Sequence, residues 1–497
     1  MATRATNPKL PSYVHPVLRE HQPDLERAFD AYRRLRGEGI KEKYLPRETQ
    51  EPPPAYQSRL DRSVFADFFY DSINAFTGIL SKFSLSLPPP SMEAAVDNID
   101  REGNSLTAWF QRADGRMLRD GGVLLRVEMP SGQAANAAEE VLTDRRPYLI
   151  ADNRARVINW RTEQADGIEQ LLWVMIEEET EEPAGEFGTK AIIRYRQIGR
   201  GWWKLWEIDT DATGEDQVRE VDGDEYLDHT QKPMPIVPVV WYRADEGTGF
   251  GTGELPLRQV VEHCIEHFLL RSDLNEKRRR CSMPVPWVRG RMPGPPRPDG
   301  SPPGPAPLVL GPNTFIELQE NGAFGFGEPS ASSLTDQRQG VLDVEQLISR
   351  QTLGFLWGDS SGTKTATQAG LEGAQTESVI ERLASRKSSA MQRIMEIWTM
   401  YTGETLEPGA GLSMSSTLFE RPMEAADVAE LQKLAGGVEL ISRRSAIEEL
   451  QRRGKIRVTT SVDEELQRLV DETPEPAEEP DRNDLGEVGE PEPEPES

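Results

Sequence analysis

The sequence predicts an α+β protein in which helices and antiparallel strands occupy separate parts of the chain. Apolar residues recur at helical spacing through the first 120 residues and again from 255 to about 401. Between 123 and 243, segments rich in β-branched and aromatic residues alternate with polar turns, which is typical of antiparallel strands. Eleven prolines between Pro284 and Pro312 interrupt the second helical region and exclude a helix there.

Composition limits the classes of function. The chain has 497 residues and a net charge of -27, of which the last 27 residues, 471–497, contribute -11. This balance argues against tight binding of nucleic acid through phosphates, although it allows contact with DNA that slides. Two cysteines, Cys264 and Cys281, make no disulfide framework and favour a reducing compartment. No apolar run reaches the roughly 18 residues of a membrane span, and the first residues lack a signal-peptide core, so we expect synthesis in the cytosol.

Three helices are predicted before the strands. The stretch PDLERAFDAYRRLRGEG predicts a helix with Pro23 near its start and Gly37 just past its end. A second helix is predicted over 56–82, because the apolar residues in it recur at steps of three and four: Phe65, Phe69, Ile73, Phe76 and Leu80. A third is predicted over 104–120, closed by Gly121-Gly122.

The central block predicts a series of strands, at 123–129, 146–161, 168–179, 190–198, 201–209 and 236–243. One of them carries Trp202, Trp203 and Trp206. Three tryptophans on a strand suit either a platform for stacking bases or packing against neighbouring strands. We favour packing, which is the more common role of aromatic residues in strands.

A helix, a proline-rich element and two further helices follow. The first helix is predicted over 255–281, with a stripe of Leu257, Val261, Cys264 and Phe268. Short strands are predicted on both flanks of the proline-rich stretch. The next helix is predicted over 334–353, followed by the loop GFLWGDSSGTKTATQAG and a long helix to Tyr401. Two more helices are predicted near 424–435 and 442–453, and disorder in the Glu/Pro-rich tail.

His263, Glu266 and His267 match H-x-x-E-H, an inverted zinc-peptidase motif. Histidines one helical turn apart can bind one ion, and the glutamate can act as general base. The sequence identifies no third ligand, since His15, His21 and His229 lie far away along the chain. The helix face already has a packing explanation. We therefore predict no metal, no cofactor and no catalytic residue, with a zinc metallopeptidase as the alternative.

The glycine-rich stretch GTGFGTGE, 247–254, precedes a helix but lacks the dinucleotide-binding spacing. We predict that it is a flexible joint.

The order of these elements resembles the portal proteins, the head-to-tail connectors of tailed double-stranded DNA bacteriophages. YQSRLDRSVFADFFYDSINAFTGILSKF resembles the early wing helix of that family, and RPYLIADNRARVINWR a pair of wing strands. LPLRQVVEHCIEHFLLRSDLNEKRRRCSMPVPWVRG resembles the first stem helix running into the clip, and TATQAGLEGAQTESVIERLASRKSSAMQRIMEIWTMYTG the exit of the tunnel loop into the long helix. VELISRRSAIEELQRRG resembles a helical segment near the crown. The likeness spans about residues 55 to 470.

The resemblance implies a portal-like protomer with a mixed helix and antiparallel-sheet wing, a two-helix stem, a small β clip, a long wing helix and a helical crown. Its segments would be 1–254 (wing), 255–281 (first stem helix), 282–332 (clip), 333–353 (second stem helix), 354–368 (tunnel loop), 369–422 (long helix and return to the wing), 423–470 (crown helices) and 471–497 (acidic disordered tail).

The resemblance also implies a function. A homo-oligomeric ring, usually of twelve subunits, would sit at one capsid vertex of the virion as a channel for DNA packaging and ejection. Its implied partners are double-stranded DNA, the terminase large subunit, head-tail adaptors, and the major capsid and scaffolding proteins, with no membrane. A portal catalyses nothing itself. The alternative without enzymatic activity is an acidic scaffold or adaptor of another kind.

Candidate DNA contacts follow from the resemblance. Trp357 and Lys364 fall in the tunnel loop. The basic residues at the stem and clip are Lys277, Arg278, Arg279, Arg280, Arg289, Arg291 and Arg297. A solvated surface charge or an inter-subunit ion pair is the alternative for each of the basic residues, including Lys364. For Trp357 the alternatives are contact with the neighbouring loop and core packing.

Overall fold

The computed structural model describes residues 7–130, 145–210, 215–245, 247, 249–282, 285–291, 294, 301, 304, 318–327, 332–352, 366–414, 444, 446 and 467. The chain forms two compact units, Met1–Met414 and Ser415–Ser497. In the second unit, Arg444, Ala446 and Gln467 are helical. The first unit is α+β, as predicted, and its sheets are antiparallel throughout the described strands.

Helix α1 (Pro16–Tyr32) is followed by the short helix α2 (Ile40–Tyr44). The predicted start near Pro23 is wrong, because Pro23 lies inside α1. The helix begins seven residues earlier, where Pro16 suits the first turn and the His15 ring accepts a hydrogen bond from the amide of Val17 at 3.3 Å. It also ends before the predicted Gly37: the backbone turns left-handed at Arg34 and Leu35, with φ of 60° and 52°.

The helix predicted over 56–82 is two helices, α3 (Pro53–Arg62) and α4 (Phe68–Leu80). The chain leaves the helical conformation at Ser63, with ψ of 125°, and the Ser63 hydroxyl lies 2.9 Å from that of Ser272. This tertiary contact leaves no trace in the local sequence. The predicted apolar stripe is confirmed, since all five of its residues are buried: Phe65, Phe69, Ile73, Phe76 and Leu80.

A short helix α5 (Pro90–Glu93) and a 3-10 turn lead to α6 (Leu106–Asp120). Ser105 caps the start of α6, and Gly121, with φ of 76°, ends it as predicted. Strand β2 (Gly122–Glu128) follows at once and is buried along its whole length. It is the central strand of a three-stranded sheet in the order β3-β2-β9, with β3 (Tyr148–Asn153) and β9 (Val239–Arg243) on its edges.

A five-stranded sheet runs in the order β4-β5-β6-β7-β8. Its strands are β4 (Val157–Ala165), β5 (Ile168–Ala184), β6 (Gly188–Gly199), β7 (Trp202–Thr210) and β8 (Asp216–Glu225). The sequence prediction missed β8. This edge strand is exposed at every residue, so it carries no apolar alternation that would reveal it.

The three tryptophans of β7 are half-buried, as the packing interpretation predicted. Trp202 lies so close to Gly199 on β6 that a Cβ at Gly199 would overlap the ring. The Arg196 guanidinium lies over Trp203 at 4.4 Å. Neighbouring strands therefore use these rings for cross-strand packing.

Helix α7 (Arg258–Ser282) leads into a ribbon of β10 (Val285–Arg291) and β11 (Leu318–Gly327), and α8 (Ser332–Gln351) returns from it. The predicted stripe of α7 is confirmed, with Leu257, Val261, Cys264 and Phe268 all buried. Most of the proline-rich stretch lies outside the described residues. The ribbon is antiparallel, with Trp287 opposite Gly325.

Helix α9 (Ala366–Thr402) has 37 residues, and β12 (Gly411–Met414) then pairs with β1 (Phe83–Ser86). One side of α9 is apolar and carries six buried residues: Ile380, Leu383, Met391, Ile394, Met395 and Trp398. The predictions for 424–435, 442–453 and the tail fall outside the described residues, apart from Arg444 and Ala446. Among the described helices, none is both long enough and apolar enough to cross a membrane.

Residues 249–254 of the glycine-rich stretch, which we predicted to be a flexible joint, make close contacts with neighbouring residues. Trp241 donates from its indole to the Thr252 carbonyl at 2.7 Å, and the buried Arg154 donates to the Gly253 carbonyl at 2.5 Å. Gly251, with φ of 73°, lies against the Trp160 ring, where a Cβ would overlap it. The positive φ of Gly251 allows this close packing, because glycine has no Cβ.

Candidate functional site

Helices α7 and α8 form an antiparallel helical hairpin that carries the β10–β11 ribbon at its far end. His267 on α7 lies 2.9 Å from a carboxylate oxygen of Glu345 on α8. About two helical turns towards the base, the Gln351 amide donates to Gln259 at 2.9 Å. The pairing of early residues of α7 with late residues of α8 fixes their antiparallel order. A β-ribbon is thereby held away from the strands of the main sheets.

The H-x-x-E-H motif lies at the base of this hairpin. His267 is fully buried, with its Nε2 on Glu345 and its ring edge-on to Phe68 at 5.2 Å. His263 is half-buried, and its Nδ1 lies 3.3 Å from Glu266. Among the described residues, no group of three histidine, cysteine or acidic side chains is placed to hold a metal ion. In this part of the chain, the motif connects helices and provides no set of zinc ligands.

Cys264 lies between the two histidines in sequence and points into the core. Burial raises the pKa of its thiol to about 12. A thiol in this state is protonated at neutral pH, so Cys264 behaves as a small apolar residue.

Polar contacts connect the outer side of α7 to the N-terminal helices. Glu262 pairs with Arg27 of α1 at 2.8 Å, and Glu276 pairs with Arg62 of α3 at 2.9 Å. Both ion pairs are partly exposed to solvent. The hairpin is therefore attached to the body along most of α7, by an apolar stripe on one side and by polar links on another.

The predicted basic residues gather where α7 ends. Lys277 is half-buried, and Arg278, Arg279 and Arg280 are exposed. Arg280 lies 3.2 Å from Glu276. Positive charge at this position is favourable, because the carboxyl end of a helix carries partial negative charge. Contact of these residues with DNA remains a prediction.

The two faces of the ribbon differ in chemistry. Directly opposite residues share a face, which places Pro286 with Phe326 and Val288 with Phe324 on one apolar side. The other side carries Trp287, 47% exposed, and the exposed Arg289. Arg291 is the last residue of β10, while the candidates Arg297, Trp357 and Lys364 lie outside the described residues.

Helix α9 is anchored in the body by a buried ion pair. The Lys387 ammonium lies 2.8 Å from Asp114 of α6, and neither side chain is exposed. Lys387 also donates to the Leu80 carbonyl at 2.7 Å, and Tyr242 donates to the other Asp114 oxygen at 2.9 Å. The Phe83 ring lies 4.3 Å from the ammonium. Burial raises the pKa of Asp114 and lowers the pKa of Lys387, while the attraction between the two charges opposes both shifts.

Sequence reasoning missed this pair, although a signal for it exists. Lys387 lies on the apolar stripe of α9, four residues from both Leu383 and Met391. Asp114 interrupts the buried side of α6 in the same way, next to Ala113. A single charge on an otherwise apolar stripe requires a buried partner. Two such charges of opposite sign, on two helices of one core, are candidates for each other.

Residues 256–402, which span the hairpin and α9, match the family model described as Domain of unknown function (DUF4055). No curated protein matches the chain. In overall structure the chain is similar to a chain from the virion of a native gene transfer agent particle, with 12% identity, TM-score 0.38, and 82% of this chain and 96% of that chain covered. It is also similar to one from the neck of a native gene transfer agent particle with C12 symmetry, with 13% identity, TM-score 0.38, and 82% and 95% covered.

Proposed function

We propose that this chain is the protomer of a portal, a ring-shaped DNA channel at one vertex of a phage or phage-like capsid. The observation that carries the proposal is the arrangement of α7, the ribbon, α8 and α9. An antiparallel helical hairpin bears a β-ribbon at its far end, and a 37-residue helix then returns to the body. This is the order that stem, clip, stem and long wing helix follow in the family that the sequence resembles.

The length of α7 would set the length of the channel wall. Helix α7 has 25 residues, which at 1.5 Å per residue gives a rod of about 37 Å. Copies placed side by side around a closed ring would line a tube of that length. Because α7 is attached to the body along most of its length, its position in each copy would be set by the α+β body.

The charge of the chain suits a channel through which DNA moves. A wall rich in arginine would hold the duplex by releasing its counterions. With a net charge of -27, the protein would repel the phosphates over most of its surface. The basic side chains at the end of α7 and on the ribbon, Lys277 to Arg280 with Arg289, would then be the few points of attraction. In this function the protein guides DNA and catalyses no reaction.

The proposal includes the partners that a portal requires. The ribbon at the far end of the hairpin would receive the terminase large subunit during packaging and head-tail adaptors afterwards. The body would contact the major capsid and scaffolding proteins. The complete ring would be part of the virion, after synthesis in the host cytoplasm.

The mass and shape of the purified protein test the proposal. We expect native mass spectrometry to give a closed ring of about twelve copies, and negative-stain images to show a central hole, since a channel requires closed cyclic symmetry. A monomer or small oligomer at every concentration and in the presence of capsid protein would contradict a portal and favour an acidic scaffold or adaptor.

Metal analysis of the same sample tests the zinc alternative. One zinc per chain, lost in His263→Ala, would favour a metallopeptidase. A ring without bound zinc supports the portal.

A further inference from the structure

The β5–β6 hairpin exposes an aromatic residue at its tip. Phe187 lies in the turn between Ala184 and Gly188 and is 94% exposed. The outer halves of β5 and β6 are exposed as well, so the tip is distant from the core. A phenylalanine left in water forgoes the stabilisation that burial of its ring would give. An exposed aromatic residue on a projecting hairpin is typical of an anchor that is buried in an interface.

A groove lies at the opposite end of the same sheet. It has a volume of about 510 Å³, which falls within the roughly 300–1,000 Å³ of ligand pockets. Its apolar walls come from the start of β5, from β9 and from α9, and include Leu171, Val240, Trp241, Phe250 and Ile397. Ile168, at its mouth, is 66% exposed. Two arginines, Arg200 and Arg393, and two glutamates, Glu169 and Glu396, also line it.

The tip and the groove cannot meet within one chain. Strand β5 has 17 residues and runs from Ile168 at the groove to Ala184 at the tip, a distance of about 53 Å at roughly 3.3 Å per residue. A contact between them therefore joins two copies. Because it uses two different surfaces, it is a head-to-tail contact, which can close into a ring.

We propose that Phe187 of one copy binds in the groove of the next copy, and that this contact joins neighbours around the ring. The inference rests on the proposed function, because it names the interface that the ring requires. The charges agree with this pairing. Glu186 lies next to Phe187 and is exposed, and Arg393 at the groove is 67% exposed. Its link to Glu396, three residues along α9, is a surface pair of small value that Glu186 of the neighbour replaces.

Substitution of the tip is the first test. Phe187→Asp places a charge in an apolar groove, so we expect the fraction of protein in closed rings to fall at least about tenfold at equal concentration. The matched control is Val218→Asp, on edge strand β8 of the same sheet, where Val218 is 40% exposed. We expect the control to form rings like the wild-type protein. Circular dichroism checks that both variants are folded.

Disulfide cross-linking is the second test and requires the contact itself. A protein with Phe187→Cys and Ile168→Cys, in a Cys281→Ser background, should form covalent ladders of linked subunits on oxidation. Cys264 is buried and can stay. Each single-cysteine variant should stop at a dimer or remain a monomer. Denaturing electrophoresis gives the number of linked subunits.

The outcomes separate the two proposals. Rings of wild-type protein that persist in Phe187→Asp, together with no ladder from the double cysteine, would overturn the tip-to-groove contact and leave the portal in place. Wild-type protein that forms no closed ring would overturn the portal. If Phe187→Asp loses its rings while the wild-type protein and Val218→Asp keep theirs, and the double-cysteine variant forms a ladder, both the portal and the tip-to-groove contact are supported.

Discussion

Helix α9 and the α7–α8 hairpin are fixed to the same body by interactions of different kinds. Helix α9 is held by a salt bridge, Lys387–Asp114, from which water is fully excluded. The outer side of α7 is held by surface ion pairs such as Arg27–Glu262, in which both side chains are nearly half exposed. Salt screens exposed pairs and leaves buried ones almost unchanged. Salt should therefore barely affect the contact that holds the long helix, whereas it should weaken the ion pairs on the outer side of α7.

The largest expected effect comes from breaking the buried pair. Asp114→Ala leaves the Lys387 ammonium without its counter-charge in the core, so we expect the free energy of unfolding to fall by about 3–5 kcal/mol. Urea unfolding followed by tryptophan fluorescence measures it. The double variant Asp114→Leu with Lys387→Met should recover most of the loss, since it buries no charge. A loss below about 1 kcal/mol in the single variant would contradict a dry, coupled pair.

A smaller effect is expected inside the hairpin. Glu345→Ala removes the acceptor of the fully buried His267, and a buried donor without a partner costs about 1–3 kcal/mol. Hydrogen exchange of the α7 amides should speed up correspondingly. Glu266→Ala removes the exposed partner of His263 on the same helix and is the matched control, with an expected change within about 0.5 kcal/mol. Equal effects of the two changes would show that burial of His267 does not matter.

Acid should loosen helix α3, which is linked to α7 by the Arg62–Glu276 pair. Arg59 donates to both oxygens of Glu51, at 2.9 and 2.7 Å, and thereby lowers the pKa of Glu51 below 4.5. A lowered pKa in the folded state means that the contribution to stability is present above the unfolded pKa and is lost as the pH falls through the folded one. We expect protection of the α3 amides to decrease as the pH is lowered from about 6 to about 3. Glu51→Gln should remove this pH dependence. If the protection of the α3 amides depends on pH in the same way in Glu51→Gln as in the wild-type protein, Glu51 is not the group responsible.

The smallest effect is expected at the surface pairs. Arg62→Ala removes the pair with Glu276 and should cost at most about 1 kcal/mol at low salt and nothing measurable at high salt. The exchange rates of the α7 amides at two ionic strengths measure it. Arg156→Ala, which removes an exposed pair with Glu179 on the five-stranded sheet, is the control and should leave α7 unchanged. If Arg62→Ala destabilises α7 equally at low and high salt, the pair with Glu276 does not behave as a screened surface pair, and the proposed difference between the hairpin and the core is contradicted.

Apolar spacing in the sequence predicts helices and strands that bury one face. It does not predict where a helix breaks or where a strand is exposed on both faces. The stripe from Phe65 to Leu80 gave the correct buried side. The break at Ser63 was not predicted, because the apolar spacing continues past it and the contact of Ser63 with Ser272, far along the chain, is visible only in the folded protein. Strand β8 could not be predicted either, because a strand exposed on both faces has no reason to alternate apolar and polar residues.

For the candidate site, the order of elements was predictable and the pairing was not. The spacing of α7 gave its buried stripe, and the prolines gave the interruption between the two helices. Helical spacing shows which side a residue is on and says nothing about its partner. Asp114 and Lys387 are 273 positions apart, so only the folded chain shows that they meet. The same limit led us to weigh H-x-x-E-H as a zinc motif, because Glu345 and Phe68 lie on other helices.

The burial of Lys387 has a practical use in chemical labelling. An ammonium with no exposed surface cannot meet an acylating reagent, although burial lowers its pKa and favours the reactive amine. In the folded protein Lys387 should stay unmodified while exposed lysines react within minutes. Its modification then requires a transient opening of the core. The rate at which Lys387 is acylated therefore reports how often that core opens.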